Sequence, residues 1–290
     1  MSWRTVVISN RAKLDYQMEF MVVRSDTTQK IHLSEISVLI IENTAVSLTS
    51  YLLSELIKHK IKVIFCDEKR NPQSELIGYY GSHDTSEKIA EQIRWGAESK
   101  ANVWKSIVQE KIRQQMFFLV DLNKPESSLL KEYADQVQPG DITNREGFSA
   151  KVYFNSLFGK DFIRSDDSPR NAALNYGYSL LLSAFNREIT SSGYITQLGI
   201  SHHNVYNPFN FASDLMEPFR PLVDRMVYDL VPEKLEKEEK AYLLGLLTRQ
   251  LRIKEKKYYF NQAVSIYCKS IFNSLNNGNV DDIVFYKYEL

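Results

Sequence analysis

Apolar positions recur at two different periods along this chain, and the change of period divides it. Over the first eighty residues they fall in short runs, Arg4 to Ser9, Phe20 to Arg24, Lys30 to Leu33 and Ile36 to Glu42. These runs are rich in Val and Ile and are parted by Asn10-Arg11 and by Ser25-Asp26-Thr27-Thr28, so they read as strands joined by turns. One helix interrupts them, because Leu48, Leu52, Leu53, Leu56 and Ile57 share a face at helical spacing. The chain returns to an apolar strand at Val63-Ile-Phe-Cys66. Gly78-Tyr-Tyr-Gly81-Ser82-His83-Asp84 ends the strand region, and helical periodicity starts at Thr85-Ser86-Glu87.

Beyond that point the period stays near 3.6. Trp104, Val108, Ile112, Met116 and Leu119 mark one stripe of a long helix, and apolar faces follow in Ser127 to Val137, Glu146 to Phe158 and Asn171 to Ile189. Further helices are expected over Asp214 to Asp229, Lys234 to Leu251 and Tyr259 to Leu275, the last stopped by Asn276-Asn-Gly-Asn279. No sheet is expected after residue 90. The pattern predicts an α+β protein: a small β-rich N-terminal domain over 1–80, a linker over 81–88, and a larger all-helical domain over 89–290.

Composition narrows the class. With 290 residues and 43% hydrophobic content the chain can bury a real core. Lys+Arg and Asp+Glu number 36 each, so any contact with nucleic acid has to come from local basic patches rather than from net charge. Two patches qualify: Lys58, Lys60 and Lys62, and then Arg249, Arg252, Lys254, Lys256 and Lys257 interleaved with Tyr258 and Tyr259, whose rings can stack on bases. Solvated helix faces are the plainer account of both. Apolar runs such as Val38 to Ile41 are far too short to span a membrane and Met-Ser-Trp-Arg is no signal segment, so a cytoplasmic protein without membrane contact is expected. Cys66 and Cys268 lie far apart without CxxC spacing and read as buried packing residues. The chain has no GxGxxG, GxxxxGK[ST], HExxH or GxSxG signature, which argues against an NTPase, a zinc protease or a serine hydrolase.

Candidate chemistry concentrates in three separated pieces: Thr143-Asn-Arg-Glu146, Gly199-Ile-Ser-His202, and Asp214-Leu-Met-Glu217-Pro-Phe-Arg-Pro221. Two carboxylates and an imidazole would suit a hard divalent cation, Mg²⁺ or Mn²⁺, in phosphodiester chemistry. Each piece has a structural alternative. Thr143 and Glu146 fit a capping box. His202 has a neighbour, His203, in a turn-rich loop where at most one of the two would be a ligand. Asp214, Glu217 and Arg220 could be an acid–base ladder on one helix, although Pro218 and Pro221 indicate a helix start or kink. Asn171-Ala-Ala-Leu-Asn175-Tyr-Gly-Tyr178 puts Asn and Gly inside an apolar helix, either for close packing at Gly177 or so that Asn175, Tyr176 or Tyr178 supports the site.

In this order, Asn144 to Phe154, Asn171 to Tyr178, Gly199 to His202 and Asp214 to Asp224 strongly resemble CRISPR-associated protein one, the integrase of CRISPR adaptation, over essentially the whole chain. The last motif looks most like the branch found with effector nucleases of type II. The resemblance implies a metal-dependent DNA integrase and endonuclease that inserts protospacer DNA into a repeat array by attack of a 3′-hydroxyl. It implies that Glu146, His202 and Glu217 hold the Mg²⁺ or Mn²⁺, with Asp214, Arg220, Asn175 and Tyr176 in support. Many members carry Asp where Glu217 stands, which keeps the oxygen ligand. The partners implied are double-stranded DNA, a second copy through the β-rich domain, and a dimer of CRISPR-associated protein two bridging two homodimers, with further adaptation proteins and the effector nuclease. The alternatives are a structure-specific nuclease or mobile-element integrase without CRISPR partners, and a non-catalytic DNA-binding scaffold.

Overall fold

The computed structural model describes residues 4–76, 78 and 82–287. It divides into two compact units, Met1–Gly81 and Ser82–Leu290. Of the sequence features above, Met1 to Trp3, Tyr79 to Gly81 and the last residues, 288–290, lie outside the described residues.

Among the described residues the first unit holds eight strands and an α-helix: β1 (Arg4–Ile8), β2 (Lys13–Gln17), β3 (Phe20–Arg24), β4 (Thr28–His32), β5 (Ile36–Ile41), β6 (Ser47–Leu48), α1 (Ser50–Lys58), β7 (Lys62–Cys66) and β8 (Pro72–Leu76). They form two four-stranded sheets, ordered β1-β5-β7-β8 and β4-β3-β2-β6. In the first, β5 lies parallel between β1 and β7, and all six of its residues, Ile-Ser-Val-Leu-Ile-Ile, are buried. A strand covered on both faces needs such an unbroken apolar run. Antiparallel β8 starts at Pro72, whose missing N–H is tolerated on an edge. Leu14, Met21, Leu33, Leu39, Leu52, Leu56 and Val63 build the core shared by the sheets and α1. Thr49 caps α1, its hydroxyl accepting from the Leu52 N–H at 3.2 Å. Lys62 does not belong to a basic surface: on β7 it is 4% exposed and ion-paired with Glu75 of β8.

The second unit comprises α2 (Thr85–Arg94), α3 (Ala97–Asp121), α4 (Ser127–Gln136), α5 (Arg145–Phe158), α6 (Pro169–Ser191), α7 (Asn210–Leu215), α8 (Arg220–Leu230), α9 (Lys237–Leu244), β9 (Gln250–Ile253), β10 (Lys256–Tyr259) and α10 (Phe260–Asn277). Helix α2 begins inside the segment read as a linker. Among the described residues no helix is long and apolar enough to cross a membrane. Helix α3 packs against α4, α5, α8, α10 and the 3-10 turn Glu217–Phe219. It is covered on several sides, so Glu110, Lys111, Gln114 and Gln115 are buried along with Val103, Ile107 and Phe118. Both cysteines are free and buried, as their spacing suggested.

Two stretches depart from the helical reading. The segment expected as one helix over Asp214 to Asp229 is three pieces, α7, the turn Glu217–Phe219 and α8, because Pro218 and Pro221 each occupy a first-turn position and force a new start. The helix expected over Lys234 to Leu251 ends at Leu244, and the basic stretch after it is a hairpin pairing Lys256 with Ile253 and Tyr259 with Gln250. The unit is therefore not all-helical. Its period-2 signal is plain in hindsight: Leu251 and Ile253 are buried while Gln250 and Arg252 are not. The tail is tied down behind the hairpin. Lys287 N donates to Arg252 O at 2.8 Å, the Tyr286 hydroxyl to Pro218 O at 3.0 Å, and Gln114 Nε2 to Tyr286 O at 3.3 Å.

Candidate active site

Three separately built supports meet around the carboxylates. The first is the start of α5. Asp141, at φ +50°, turns back so that its carboxylate accepts from the N–H groups of Arg145 at 2.8 Å and Glu146 at 3.0 Å, and Asn144 accepts from Gly147 N at 3.3 Å. The helix is thus capped from Asp141 and Asn144. The Thr143–Glu146 capping box does not form, since Asn144 is the capping residue and Glu146 points elsewhere. Its carboxylate, one quarter exposed, meets Lys111 Nζ at 2.6 Å.

The second support is the turn Glu217–Phe219. Phe219 is fully buried, its ring packed on Phe185 at 5.2 Å and Tyr286 at 4.8 Å. Burying such a side chain contributes about 1.5–3 kcal/mol, which anchors the turn. Glu217, only 3% exposed, takes Lys111 Nζ at 2.5 Å on one oxygen and Arg220 Nε at 2.8 Å on the other. The Arg220 guanidinium lies 4.6 Å from the Tyr178 ring, and the Tyr178 hydroxyl donates to buried Asp224. Burial alone would raise the Glu217 carboxyl, but Arg220 and Lys111 outweigh it and hold it well below the ordinary carboxylate range. Burial prevails at Asp224, which is pushed up to about 6 against the hydrogen bond from Tyr178.

The third support is the loop after Gly199. Buried Asp214 of α7 gathers it, accepting from Ile200 N at 2.5 Å, Ser201 N at 3.0 Å and His202 N at 3.1 Å, and binding His202 Nδ1 at 2.5 Å. A Cβ at position 199 would sit 2.4 Å from His202 O and 2.7 Å from the Asp214 carboxylate, so only glycine admits this loop. With Nδ1 engaged, Nε2 is the imidazole nitrogen left for a ligand. The bond to Asp214 raises the His202 pKa against the effect of burial, and the charges of Glu217 and Glu146 raise it further, which places all three groups in one electrostatic field. Trp104 stands edge-on to the imidazole at 5.8 Å. His203 makes no such bond to Asp214; it lines a groove of about 430 Å³ with Trp95, Lys100, Trp104 and Ser201.

Glu146 and Glu217 therefore converge on one cation, with Arg220 and Asp214 in direct support. Among the described residues no three His, Cys, Asp or Glu side chains form a ready-made metal cage; the ammonium of Lys111 lies between the two glutamates. The donor set itself, two carboxylates and an imidazole with a free Nε2, has the chemistry that Mg²⁺ or Mn²⁺ accepts. Asn175 and Tyr176 stand apart: Asn175 accepts from Arg164 Nη2 at 2.7 Å, and the Tyr176 ring faces Lys240 Nζ at 5.5 Å. Sequence reasoning missed Lys111 and Asp224. A lysine on the inward face of α3, between Val108 and Gln115, was the available signal.

Comparison with known proteins gives one consistent answer. A family model described as "CRISPR associated protein Cas1" matches residues 5–255. The CRISPR-associated endonuclease Cas1 of Neisseria meningitidis serogroup C (strain 8013) is 34% identical over 290 residues, covering 98% of this chain and 95% of that protein. A casposase bound to integration product shares the fold with a TM-score of 0.77 at 17% identity, covering 97% of this chain and 92% of that one. A chain of a Cas6-RT-Cas1–Cas2 complex matches with a TM-score of 0.74 at 19% identity, over 99% of this chain but 36% of that longer polypeptide.

Proposed function

The chain belongs to the Cas1 family, and from that membership we propose that it is a divalent-metal-dependent DNA integrase and endonuclease of CRISPR adaptation, joining protospacer 3′ ends to a repeat by transesterification. The observation that carries this reading is the convergence of Glu146 and Glu217 on a single cationic point, in the field of His202. Glu146, Glu217 and His202 Nε2 would hold the Mg²⁺ or Mn²⁺. When bound, the ion lowers the pKa of the attacking hydroxyl and offsets charge on the phosphate in the transition state. The protein's own part is positioning. Arg220 fixes one oxygen of Glu217, Asp214 fixes the tautomer and direction of His202, and the cap at Asp141 leaves the Glu146 side chain free to reach inward. Lys100 in the adjoining groove supplies positive charge for a DNA strand.

The proposed partners follow the same reading: double-stranded DNA, a second copy through the β-rich unit, and Cas2 bridging two homodimers, the last supported by the Cas1–Cas2 assembly whose chain shares this fold. The test is strand transfer of a short duplex with free 3′-OH ends into a supercoiled plasmid bearing the repeat, with Mg²⁺ or Mn²⁺, with and without Cas2. Joining by wild type and by His203→Ala, and its loss in His202→Ala, is the expected result. Nicking without joining under every condition would favour a structure-specific nuclease instead.

A further inference from the structure

Lys111 stands where the reading above needs a metal. Its ammonium lies 2.6 Å from Glu146 and 2.5 Å from Glu217, and its side chain is only 9% exposed. We propose that Lys111 is a built-in counter-ion that holds the two glutamates together before metal arrives, and that a divalent cation binds by exchange against it. The inference rests on the metal-dependent reading.

Charge balance carries the argument. Two carboxylates, Glu146 and Glu217, are matched in this cluster by two cations, Lys111 and Arg220. Adding a dication to these four groups would leave an uncompensated charge of two, which a low-dielectric site penalises heavily, and release of one resident cation halves that excess. One of the two resident cations therefore gives way. Arg220 is poorly placed to do so, because its planar group is bonded to Glu217 and lies on the Tyr178 ring. Lys111 is the mobile one: an ammonium on a four-carbon stem, which can swing toward water while the stem stays packed on α3. The exposure of Glu146 and His202, 25% and 43%, shows on which side water and an incoming cation reach the cluster. Without Lys111, two carboxylates would face each other unneutralised, and the start of α5 would be pushed away from the turn that carries Glu217. The lysine keeps the two glutamates together, and the metal has to compete with it.

The experiment is a Mn²⁺ titration of the full chain without DNA, read by electron paramagnetic resonance, on wild type, Lys111→Met, Lys111→Arg and Glu217→Gln. Methionine keeps the stem and removes the charge. Lys111→Met is expected to bind Mn²⁺ at least about tenfold more tightly, with a lower melting temperature in the metal-free form and a larger rise on adding Mn²⁺. Lys111→Arg, which keeps a cation there, is expected to bind no more tightly than wild type. Glu217→Gln is expected to lose binding. Equal or weaker Mn²⁺ binding by Lys111→Met, with Glu217→Gln still abolishing it, overturns the exchange while leaving the metal site standing. Undiminished binding by Glu217→Gln overturns the metal reading and the inference with it. Should Lys111→Met not fold, wild type decides by NMR of its lysine ammonium groups. Loss of the protected Lys111 signal on adding Mg²⁺ supports exchange, and its persistence at saturating Mg²⁺ overturns it.

Discussion

A carboxylate held between a lysine and an arginine keeps its charge at any pH the cell offers, which suits Glu217 to the cation-binding role proposed for it and not to shuttling protons. Glu217→Gln should accordingly abolish strand transfer at every pH rather than shift its optimum, which a pH series would show. His202 titrates differently. Its pKa is raised chiefly by the bond to Asp214, so Asp214→Asn should move the His202 imidazole back toward the ordinary histidine value in an NMR titration of the metal-free protein, and should weaken activity about 10- to 100-fold. Asp224 makes a stability prediction. Its folded pKa is raised from 3.8 to about 6, so the folded state binds the proton more tightly than the unfolded state; that contribution is complete below pH 3.8 and is lost as pH rises through about 6. Melting curves should therefore show wild type losing ground to Asp224→Asn across that window and running parallel above it. The carboxylates and the imidazole were legible in the chain because each sits in a short motif with turn residues around it. Lys111 was not, because a lone lysine in an apolar helix shows its partner only once α5 and the Glu217 turn are folded against it.

Helices and strands were legible where one period ran unbroken. Strand β5 and helices α5, α6 and α10 lie close to where the apolar spacing put them. Strand β2 was missed because Lys13-Leu-Asp-Tyr-Gln17 offers a single fully buried residue, Leu14, among polar ones. The β9–β10 hairpin was missed because its lysines and arginines read as a solvated helix, and its turn passes through Lys254 at φ +54° rather than through a glycine. The glycine inside α6 was the clearer signal, and packing accounts for it. A Cβ at Gly177 would come 2.3 Å from Val223 Cγ1, so α6 and α8 cross as closely as backbone permits. Gly177→Ala should cost about 1–3 kcal/mol in denaturant unfolding, and Val223→Ala in the same chain should recover part of it. If the double substitution is no better than the single one, the close crossing is not the cause.

At the scale of the whole chain, equal numbers of acidic and basic residues leave no overall field to draw in DNA. An assembly that shares DNA contacts among several chains removes that difficulty, and light scattering at micromolar concentration should return the mass of two chains; a single-chain mass would count against self-association. The floor beneath Glu217 has a temporal side as well. Tyr286 reaches the Pro218 carbonyl from 68 residues further along, and Gln114 of α3 holds that same tyrosine in place. A ribosome adding about 5–20 residues per second takes several seconds to cover that stretch. During that interval the nascent polypeptide carries every acidic group of the site but lacks the tyrosine that bonds the turn, so the Pro218 carbonyl gains this partner only after the acidic groups have all been made.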